Sequence, residues 1–522
     1  TISHRGPDGR GSRKFVLNPG GLNLYLGHVR LSIVDLSEKG AQPMDYLTKY
    51  TITYNGEIYN YLELREELVS LGYEFKSDTD TEIIMAAFDM WGTDCLSRLN
   101  GMFAFSLFDS SNDMIFIVRD RYGIKPLYYH SEGINFSFSS EIKAILANED
   151  IRDSIEPNEL ECRNYLRFGP REWKKNTLFQ SVYRFPKASF IYQSCLSLIE
   201  DGPNFEEYYC LQEEGYSYLK EDSVVKNYYK LLESAVSLRL RADVPIGTAL
   251  SGGLDSSSIA KLINNQLLLD EKNHIQKTFS CVYPEEGYES FDESSFIDLA
   301  ANFLHVDSQK IQVHPKDVIN EYEKMIWSHD TPPDGAMMSS WHTYKLVSEH
   351  GVKISIDGQG ADEQLAGYDN YLISYLIHLD WSNFIKEYRD IKVKFSDYKQ
   401  ILNFSFFLKI LKSFGLLRLV SYLLKKNGSH FDPSKSLRRM RIQTFQQNLS
   451  NLLFYGDRQS MAWSVESRLP FMDYRLVDFL NSTPEEFKIK HGWGKWLARK
   501  AFENELPDEI VWRENKMGWE VP

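Results

Sequence analysis

Seven consecutive residues, Ser251-Gly252-Gly253-Leu254-Asp255-Ser256-Ser257, combine what a phosphate-binding turn needs with one side chain it would normally avoid. A β-prone run at residues 244–250 stops just before them, and a helical pattern through 259–267 follows. Ligands of open α/β sheets bind beyond the carboxyl ends of the strands, so a ligand belongs here. Ser251, Gly252 and Gly253 allow close backbone approach. Ser256 and Ser257 add hydroxyls at the first turn of a helix whose N–H groups attract anions. Asp255 would repel a bare phosphate. It makes sense beside Mg²⁺, which bridges carboxylate and phosphate oxygens. The string lacks the terminal Gly-Lys-Ser/Thr of a Walker A loop.

As a whole, the string resembles the PP-loop of ATP pyrophosphatases, which split ATP into AMP and pyrophosphate. A second loop follows another β-like run at 352–356: Ser355-Ile356-Asp357-Gly358-Gln359-Gly360-Ala361-Asp362-Glu363. It supplies two more glycines and a second carboxylate, Asp362, so that Asp255 and Asp362 can share Mg²⁺. Further on come Asp457-Arg458, the string Glu466-Ser467-Arg468-Leu469-Pro470-Phe471-Met472-Asp473, and residues 495–499. A cation is needed to stabilise charge on a departing pyrophosphate or on an adenylate. Lys495 and Arg499 lie four apart on a predicted helix, hence on one face.

These residues need elements to hold them. A chain of 522 residues has room for two to four domains. With 43% hydrophobic and 25% charged residues its composition is that of a soluble globular protein. A net charge of −14 offers no global basic field, and nucleic acid is not an expected partner. The five cysteines, Cys95, Cys162, Cys195, Cys210 and Cys281, form no CxxC pair. That fits neither a zinc site nor a disulfide framework and points to a reducing, cytoplasmic compartment. The apolar stretch 404–424 is interrupted by Lys409, Lys412 and Arg418, so it cannot span a bilayer as written. It reads as one amphipathic helix packed on the core; docking on a membrane surface or partner is the sharper reading, and membrane contact is not expected.

Residues 1–190 read as α+β: stacked antiparallel sheets with a few helices. The run 51–54 is a short strand ending at a turn, Asn55-Gly56. Residues 62–72 and 80–92 are helical and each closes on Gly. The runs 102–109 and 114–119, split by Ser110-Ser111-Asn112-Asp113, form a hairpin pattern. Residues 226–522 read as α/β. Strands at 244–250, 277–283 and 352–356, with 311–313 as a further candidate, alternate with helices at 259–267, 292–304 and from 361, which predicts a parallel sheet covered on both faces. Residues 191–225, rich in Tyr, Glu and Ser, read as the connection.

The strings, in this order, resemble the glutamine-hydrolysing asparagine synthetase family nearly end to end. The resemblance is carried by His4-Arg5-Gly6-Pro7-Asp8-Gly9, Arg30-Leu31-Ser32-Ile33-Val34-Asp35, Gln42-Pro43-Met44, Tyr54-Asn55-Gly56-Glu57-Ile58-Tyr59-Asn60, residues 77–82, Arg119-Asp120-Arg121-Tyr122-Gly123-Ile124-Lys125-Pro126-Leu127, the PP-loop and residues 466–473. It implies an Ntn-hydrolase-like glutaminase of the class II amidotransferase type, followed by an ATP-pyrophosphatase synthetase domain of the adenine nucleotide alpha hydrolase type. In that family an N-terminal Cys attacks the glutamine amide with its own α-amine as base. By position, Asn55 and Gly56 form the oxyanion hole. Arg30 pairs with the glutamine α-carboxylate, Glu57 and Asp80 hold its α-ammonium, and Leu31, Ser32, Ile33 and Val34 complete the glutamine site. ATP contacts fall on Leu250, Ser251, Gly252, Gly253, Asp255, Ser256, Ser257, Val282, Asp357 and Gly358, with Mg²⁺ on Asp255 and Asp362. Lys495 faces the pyrophosphate and acyl-adenylate, with Arg499 beside it. Gln359 stands where some members carry Glu, a position that bears on proton transfer. Ammonia from the first domain reaches the adenylate shielded from water. Glutamine, ATP and a carboxylate, aspartate first, are the implied small-molecule partners, and a homodimer is compatible with the chain.

Two departures accompany the resemblance. No cysteine of the chain fits the nucleophile, the first being Cys95. A chain that opens on Thr-Ile-Ser and stops at Gly518-Trp519-Glu520-Val521-Pro522 is expected to lack sequence at both ends. The aspartate region of well-known members carries a Thr-x-x-Arg element, whereas His329-Asp330-Thr331-Pro332-Pro333-Asp334-Gly335-Ala336-Met337-Met338 has no Arg. A branch with Asp-x-Pro patterns there includes members that amidate other carboxylates, such as sugar acids. A uronic acid is therefore the alternative acceptor. A non-catalytic nucleotide- or glutamine-sensing scaffold is the third reading, against which the intact Asp255 and Asp362 speak.

Overall fold

A computed structural model describes residues 1–17, 21–133, 135–211, 220–269, 275–285, 287–333, 337–395, 398–426 and 431–514. The first domain is built on a six-stranded sheet in the order Glu206–Glu207, Ser189–Ser194, Met114–Arg119, Gly101–Asp109, Tyr50–Ile58, Met44–Tyr46, every neighbour antiparallel. The predicted hairpin is its centre, with Asp109 opposite Met114. Its strands are apolar on both sides because both faces are covered. One face packs Phe105, Phe116 and Val118 against Leu64 and Leu68 of helix Tyr61–Ser70 and Ile83 and Ala87 of helix Asp80–Trp91. The other packs Phe108, Ile115 and Ile191 against Leu26 of strand Asn23–Arg30 and Tyr129 of a three-stranded sheet. This is the expected stack of antiparallel sheets.

Two local expectations fail here. Asn55-Gly56 is not a turn: the strand runs on to Ile58, with Asn55 opposite Ala104 and Gly56 opposite Phe103. Pairing with the apolar strand Gly101–Asp109 overrides the local turn signal. Likewise, 191–207 is not merely connection. Ser189–Ser194 completes the sheet by pairing with Met114–Arg119 and is itself edged by Glu206–Glu207. Residues 212–219 of the proposed connection lie outside the described residues.

The second domain holds a five-stranded, wholly parallel sheet in the order Asp307–Gln312, Lys277–Val282, Ile246–Ala249, Ile354–Ile356, Glu466–Arg468. Helices Glu221–Arg239, Leu254–Leu269, Ser294–Leu304 and Trp496–Phe502 share its main core, through Val236, Ile259, Ile297, Ile354 and Leu497. The edge strand Glu466–Arg468 carries no β signal of its own; pairing with Ile354–Ile356 makes it one. The stretch 404–424 is two helices rather than one, Lys399–Ser413 and Leu417–Lys426. Gly415 breaks it, at φ +72°, a left-handed conformation that glycine adopts without strain. Among the described residues no helix is long and apolar enough to cross a membrane.

Candidate functional site

The first domain encloses a cavity of about 180 Å³ between strands Asn23–Arg30 and Tyr50–Ile58, loop residues Leu31, Ile33 and Val34, and the start of helix Asp80–Trp91. Arg30, Asn55, Gly56, Glu57 and Asp80 line it with them. Ser32 does not; its backbone N–H turns away to donate to Asp8 Oδ2 at 2.7 Å. At Gly56 φ is +148°, and a Cβ would overlap the Met102 carbonyl, so only glycine lets the two strands close here. Asn55 Nδ2 reaches Ser140 Oγ at 3.4 Å. The Arg30 guanidinium donates to the Ser37 carbonyl at 2.7 Å and to that of Asp35, which fixes its fork at the rim.

The floor of this cavity is acidic and shared with the second domain. Asp80 Oδ2 accepts from Ile58 N–H and Tyr54 O–H, both at 2.8 Å. Burial, helped by Glu466, raises its carboxyl to about 6. Burial also pushes Glu57 well above the usual carboxylate range, with Asp80 and Glu466 adding to it and Arg468 opposing. Arg468 stands 3.4 Å from Glu57 Oε2 and 2.8 Å from Glu466 Oε1. Glu466 and Met461, both from the second domain, line the cavity. Such a pocket suits a small solute bearing an ammonium group. None of the five cysteines lines it. Cys95 and Cys195 sit in apolar cores, where burial pushes each thiol up to about 12.

The second site lies at the carboxyl edge of the parallel sheet. Ile246 pairs with Ile354, so the loops after these two strands emerge side by side. A Cβ on Gly358 would touch Asp255 Cβ at 3.5 Å and Ser256 N at 3.6 Å. Gly252, at φ +68°, packs so tightly on residues 296 and 297 that no side chain fits, whereas above Gly253 only Ser251 Oγ comes close, at 3.3 Å. Ser256 Oγ accepts from Ser251 N–H at 3.2 Å and donates to the Gly253 carbonyl at 3.2 Å, holding the loop open. Ser257 is buried beneath it, Leu250 follows the last strand residue, Ala249, and Val282 closes the neighbouring strand.

Asp255 and Asp362 converge on Lys495. Its Nζ bonds Asp255 Oδ2 and stands 2.6 Å from Asp362 Oδ1. The two carboxylates outweigh burial and raise the lysine above its ordinary value. Lys495 gets there because it caps helix Trp496–Phe502 at φ +54°, its N–H donating to the Leu365 carbonyl at 3.0 Å. Gly367 leaves the space in which the lysine and Asp362 meet, since a Cβ there would overlap both Asp362 Oδ1 and Lys495 Cε and push those side-chain ends aside. Arg499, expected beside Lys495, is directed elsewhere: it donates to the Gly494, Val511 and Arg513 carbonyls and stacks over Trp493. Lys495 precedes the helix in a left-handed conformation, so the four-residue spacing does not place the pair on one face.

Asp357 is buried and raised by burial. It accepts from Ser355 Oγ at 2.6 Å, Tyr344 O–H at 2.7 Å and Ser467 Oγ. The amide of Gln359 lies against Gly456, its Oε1 buried and without a hydrogen bond. Among the described residues no cluster of three or more metal-type side chains occurs. Asp255 and Asp362 nevertheless fit Mg²⁺: they face one point, already chosen by a cation, beside an open glycine turn that can present phosphate oxygens.

Between the sites runs a buried ionic seam that the residue strings alone did not reveal. Arg5 forks onto Asp457 at 2.8 and 3.1 Å and reaches Glu141 at 3.0 Å. Arg458 meets Glu141 at 3.0 Å and Asp330 at 3.2 Å. Lys125 lies 3.7 Å from Asp457 and 3.6 Å from Glu466. Asp457 and Arg458 thus belong to the interface, not to the loop at Ser251–Ser257. Asp330 is committed there as well, while residues 334–336 of the acceptor-side stretch lie outside the described residues. Arg5, Lys125, Glu466 and Arg468 all lie in the quoted family strings, which is the signal that could have found them.

Comparison with known proteins agrees with this two-site layout. The family described as asparagine synthase matches residues 227–522, and the one described as glutamine amidotransferase domain matches residues 1–208. The chain is 31% identical to "Asparagine synthetase [glutamine-hydrolyzing] 3" of Bacillus subtilis (strain 168), covering 98% of this chain and 82% of that one. It is 30% identical to "Asparagine synthetase [glutamine-hydrolyzing] 1" of the same organism, covering 100% and 82%. It is 28% identical to "Amidase chyE" of Penicillium rubens, covering 98% and 82%.

Proposed function

We infer the chemistry from one premise: this chain belongs to the glutamine-hydrolysing asparagine synthetase family. Membership makes it a glutamine-dependent amidotransferase and ligase. We propose that it converts aspartate to asparagine in the cytoplasm, consuming ATP and glutamine and releasing AMP, pyrophosphate and glutamate. The observation that carries the reading is the convergence of Asp255 and Asp362, from adjacent strand ends, on Lys495.

In the first site, Glu57 and Asp80 receive the α-ammonium of glutamine and Arg30, held at the rim, faces the α-carboxylate; Asn55 and Gly56 donate to the oxyanion formed when a nucleophile adds to the side-chain amide carbon, and its collapse expels ammonia. In the second, the turn at Ser251, Gly252 and Gly253 and the start of helix Leu254–Leu269 cradle the phosphates. Asp255 and Asp362 would hold Mg²⁺, which when bound neutralises phosphate charge. The acceptor carboxylate attacks the α-phosphorus, and pyrophosphate leaves with its charge stabilised by Lys495. Ammonia then attacks the acyl carbon of the resulting adenylate, AMP departs, and an amide remains. Strand Glu466–Arg468 supports direct transfer between sites, because Glu466 lines the glutamine cavity while Ser467 bonds Asp357.

A different carboxylate, such as a uronic acid, is the second reading. The stretch His329–Met338 favours it, since it has no Arg and its Asp330 is already paired with Arg458 and Lys143. Pyrophosphate release measured with ATP, glutamine and a panel of carboxylates decides between the two. Release with aspartate is expected, and Asp255→Asn should lower it by about 100-fold or more. Release with sugar acids but not aspartate would replace the acceptor while keeping the chemistry. Unchanged release in Asp255→Asn would remove the proposed active site.

A further inference from the structure

Helix Lys399–Ser413 is built inside out. Ser405 and Lys409 are buried beside Leu402 and Leu408, while Phe404, Phe406, Phe407 and Ile410 face outward. Lys409 can be buried because its ammonium donates to the Ile377 carbonyl at 3.3 Å and to that of Leu379, where helix Asp369–His378 runs out of intrahelical donors. The next helix, Leu417–Lys426, repeats the pattern: Leu417 and Ser421 are inside, and Leu419, Tyr422 and Leu423 outside. Phe414, in the turn between them, is 73% exposed. Both helices back onto one cluster of Ile377, Leu408 and Leu417, so their outward sides lie next to each other. A surface helix ordinarily keeps its aromatic side chains inside and its lysines outside. Apolar surface shown on this scale marks an interaction site.

Charge indicates what covers it. The chain carries a net charge of −14, yet between Lys399 and Lys426 it has six Lys or Arg and no Asp or Glu. Lys399, Arg418, Lys425 and Lys426 are exposed. An anionic lipid surface attracts this local excess of positive charge, and its headgroup boundary accepts Phe, Leu and Tyr. We propose that helices Lys399–Ser413 and Leu417–Lys426 dock the protein on an anionic lipid membrane, their outward Phe and Leu side chains seated among the headgroups and Lys399, Arg418 and Lys426 against lipid phosphates. The linear run, interrupted by Lys409, Lys412 and Arg418, excludes a bilayer span and reads as a helix packed on the core. The fold turns Lys409 inward and leaves the aromatic side chains outside, which favours the docking reading. The surface is independent of which carboxylate is amidated.

Vesicle co-sedimentation of the full chain tests this, using phosphatidylglycerol–phosphatidylcholine vesicles against pure phosphatidylcholine. The chain should bind the anionic vesicles about tenfold more tightly and be released by salt. The double variant Phe407→Asp, Tyr422→Asp should weaken binding about tenfold, and so should Arg418→Glu, Lys426→Glu, while apparent Tm and pyrophosphate release stay unchanged. All four positions are exposed, so the fold does not depend on them. No binding to either vesicle, equal binding to both, or variants that bind as the parent would overturn the proposal. A concentration-dependent dimer that Phe407→Asp, Tyr422→Asp abolishes, without vesicle binding, would overturn it in favour of a second copy on this face.

Discussion

Asp80 shows how a single carboxyl can set a working pH. Buried at the start of its helix and near Glu466, it is raised from an ordinary 3.8 to about 6. Its stability contribution is that of a raised group: fully present below the ordinary value, lost as pH rises through about 6. Ligand binding runs the other way, because only the ionised carboxylate attracts an ammonium group. The KM for glutamine in a glutaminase assay is therefore expected to climb as pH falls below about 6. In Asp80→Asn that climb should vanish, leaving a KM that is high throughout; a parent profile already flat across this range would show that Asp80 does not contact the ammonium. Residue identity made Asp80 and Glu57 candidates, but their coupling to Glu466 and Arg468 comes from a strand nearly four hundred residues downstream.

At the scale of elements, the site at the carboxyl edge of the parallel sheet depends on space that its glycines leave open. Gly367 is the sharpest case, since a Cβ there would overlap both Asp362 and Lys495. Gly367→Ala should part the lysine from its carboxylates and lower pyrophosphate release by about 100-fold. Glutamine hydrolysis and apparent Tm should change little, because the first-domain cavity is built from other elements. A variant that keeps full release would show that the Lys495 contacts are incidental. Strand Glu466–Arg468 is the other decisive element: three residues give one wall of the first-domain cavity, a hydroxyl for Asp357 and the cation facing Glu57. No propensity in Glu-Ser-Arg marks it as a strand.

Across the whole molecule, the two domains are joined by buried charges. Glu141 accepts from Arg5 at 3.0 Å and forms an ion pair with Arg458 at 3.0 Å, and these cations, with His4 and Lys143, hold its carboxyl well below the usual range. Its stabilising contribution is present above the ordinary value of 4.5 and lost as pH falls through the folded one. Glu141→Ala leaves Arg458 and Arg5 short of a partner and should cost about 3–5 kcal/mol, seen as a clearly lowered apparent Tm. An unchanged Tm would mean that the seam is not structural. The same variant should also lower synthesis driven by glutamine more than synthesis driven by added ammonium, because the seam lies between the two sites.

The sequence by itself determined the two-domain layout, the antiparallel and parallel sheets, and the loops at Ser251–Ser257 and Ser355–Glu363. These are local: strand runs, glycine turns and carboxylates written contiguously along the chain. Tertiary structure decided which of those residues meet. It extended a strand through Asn55-Gly56, where cross-strand pairing outweighs a turn signal worth far less. It put Lys495 itself in a left-handed conformation ahead of the helix that carries Arg499, which spacing rules ignore. It turned Lys409 inward and Phe407 outward, against the ordinary amphipathic rule. Each of these outcomes depends on contacts between segments far apart in sequence, whose energies exceed any local preference.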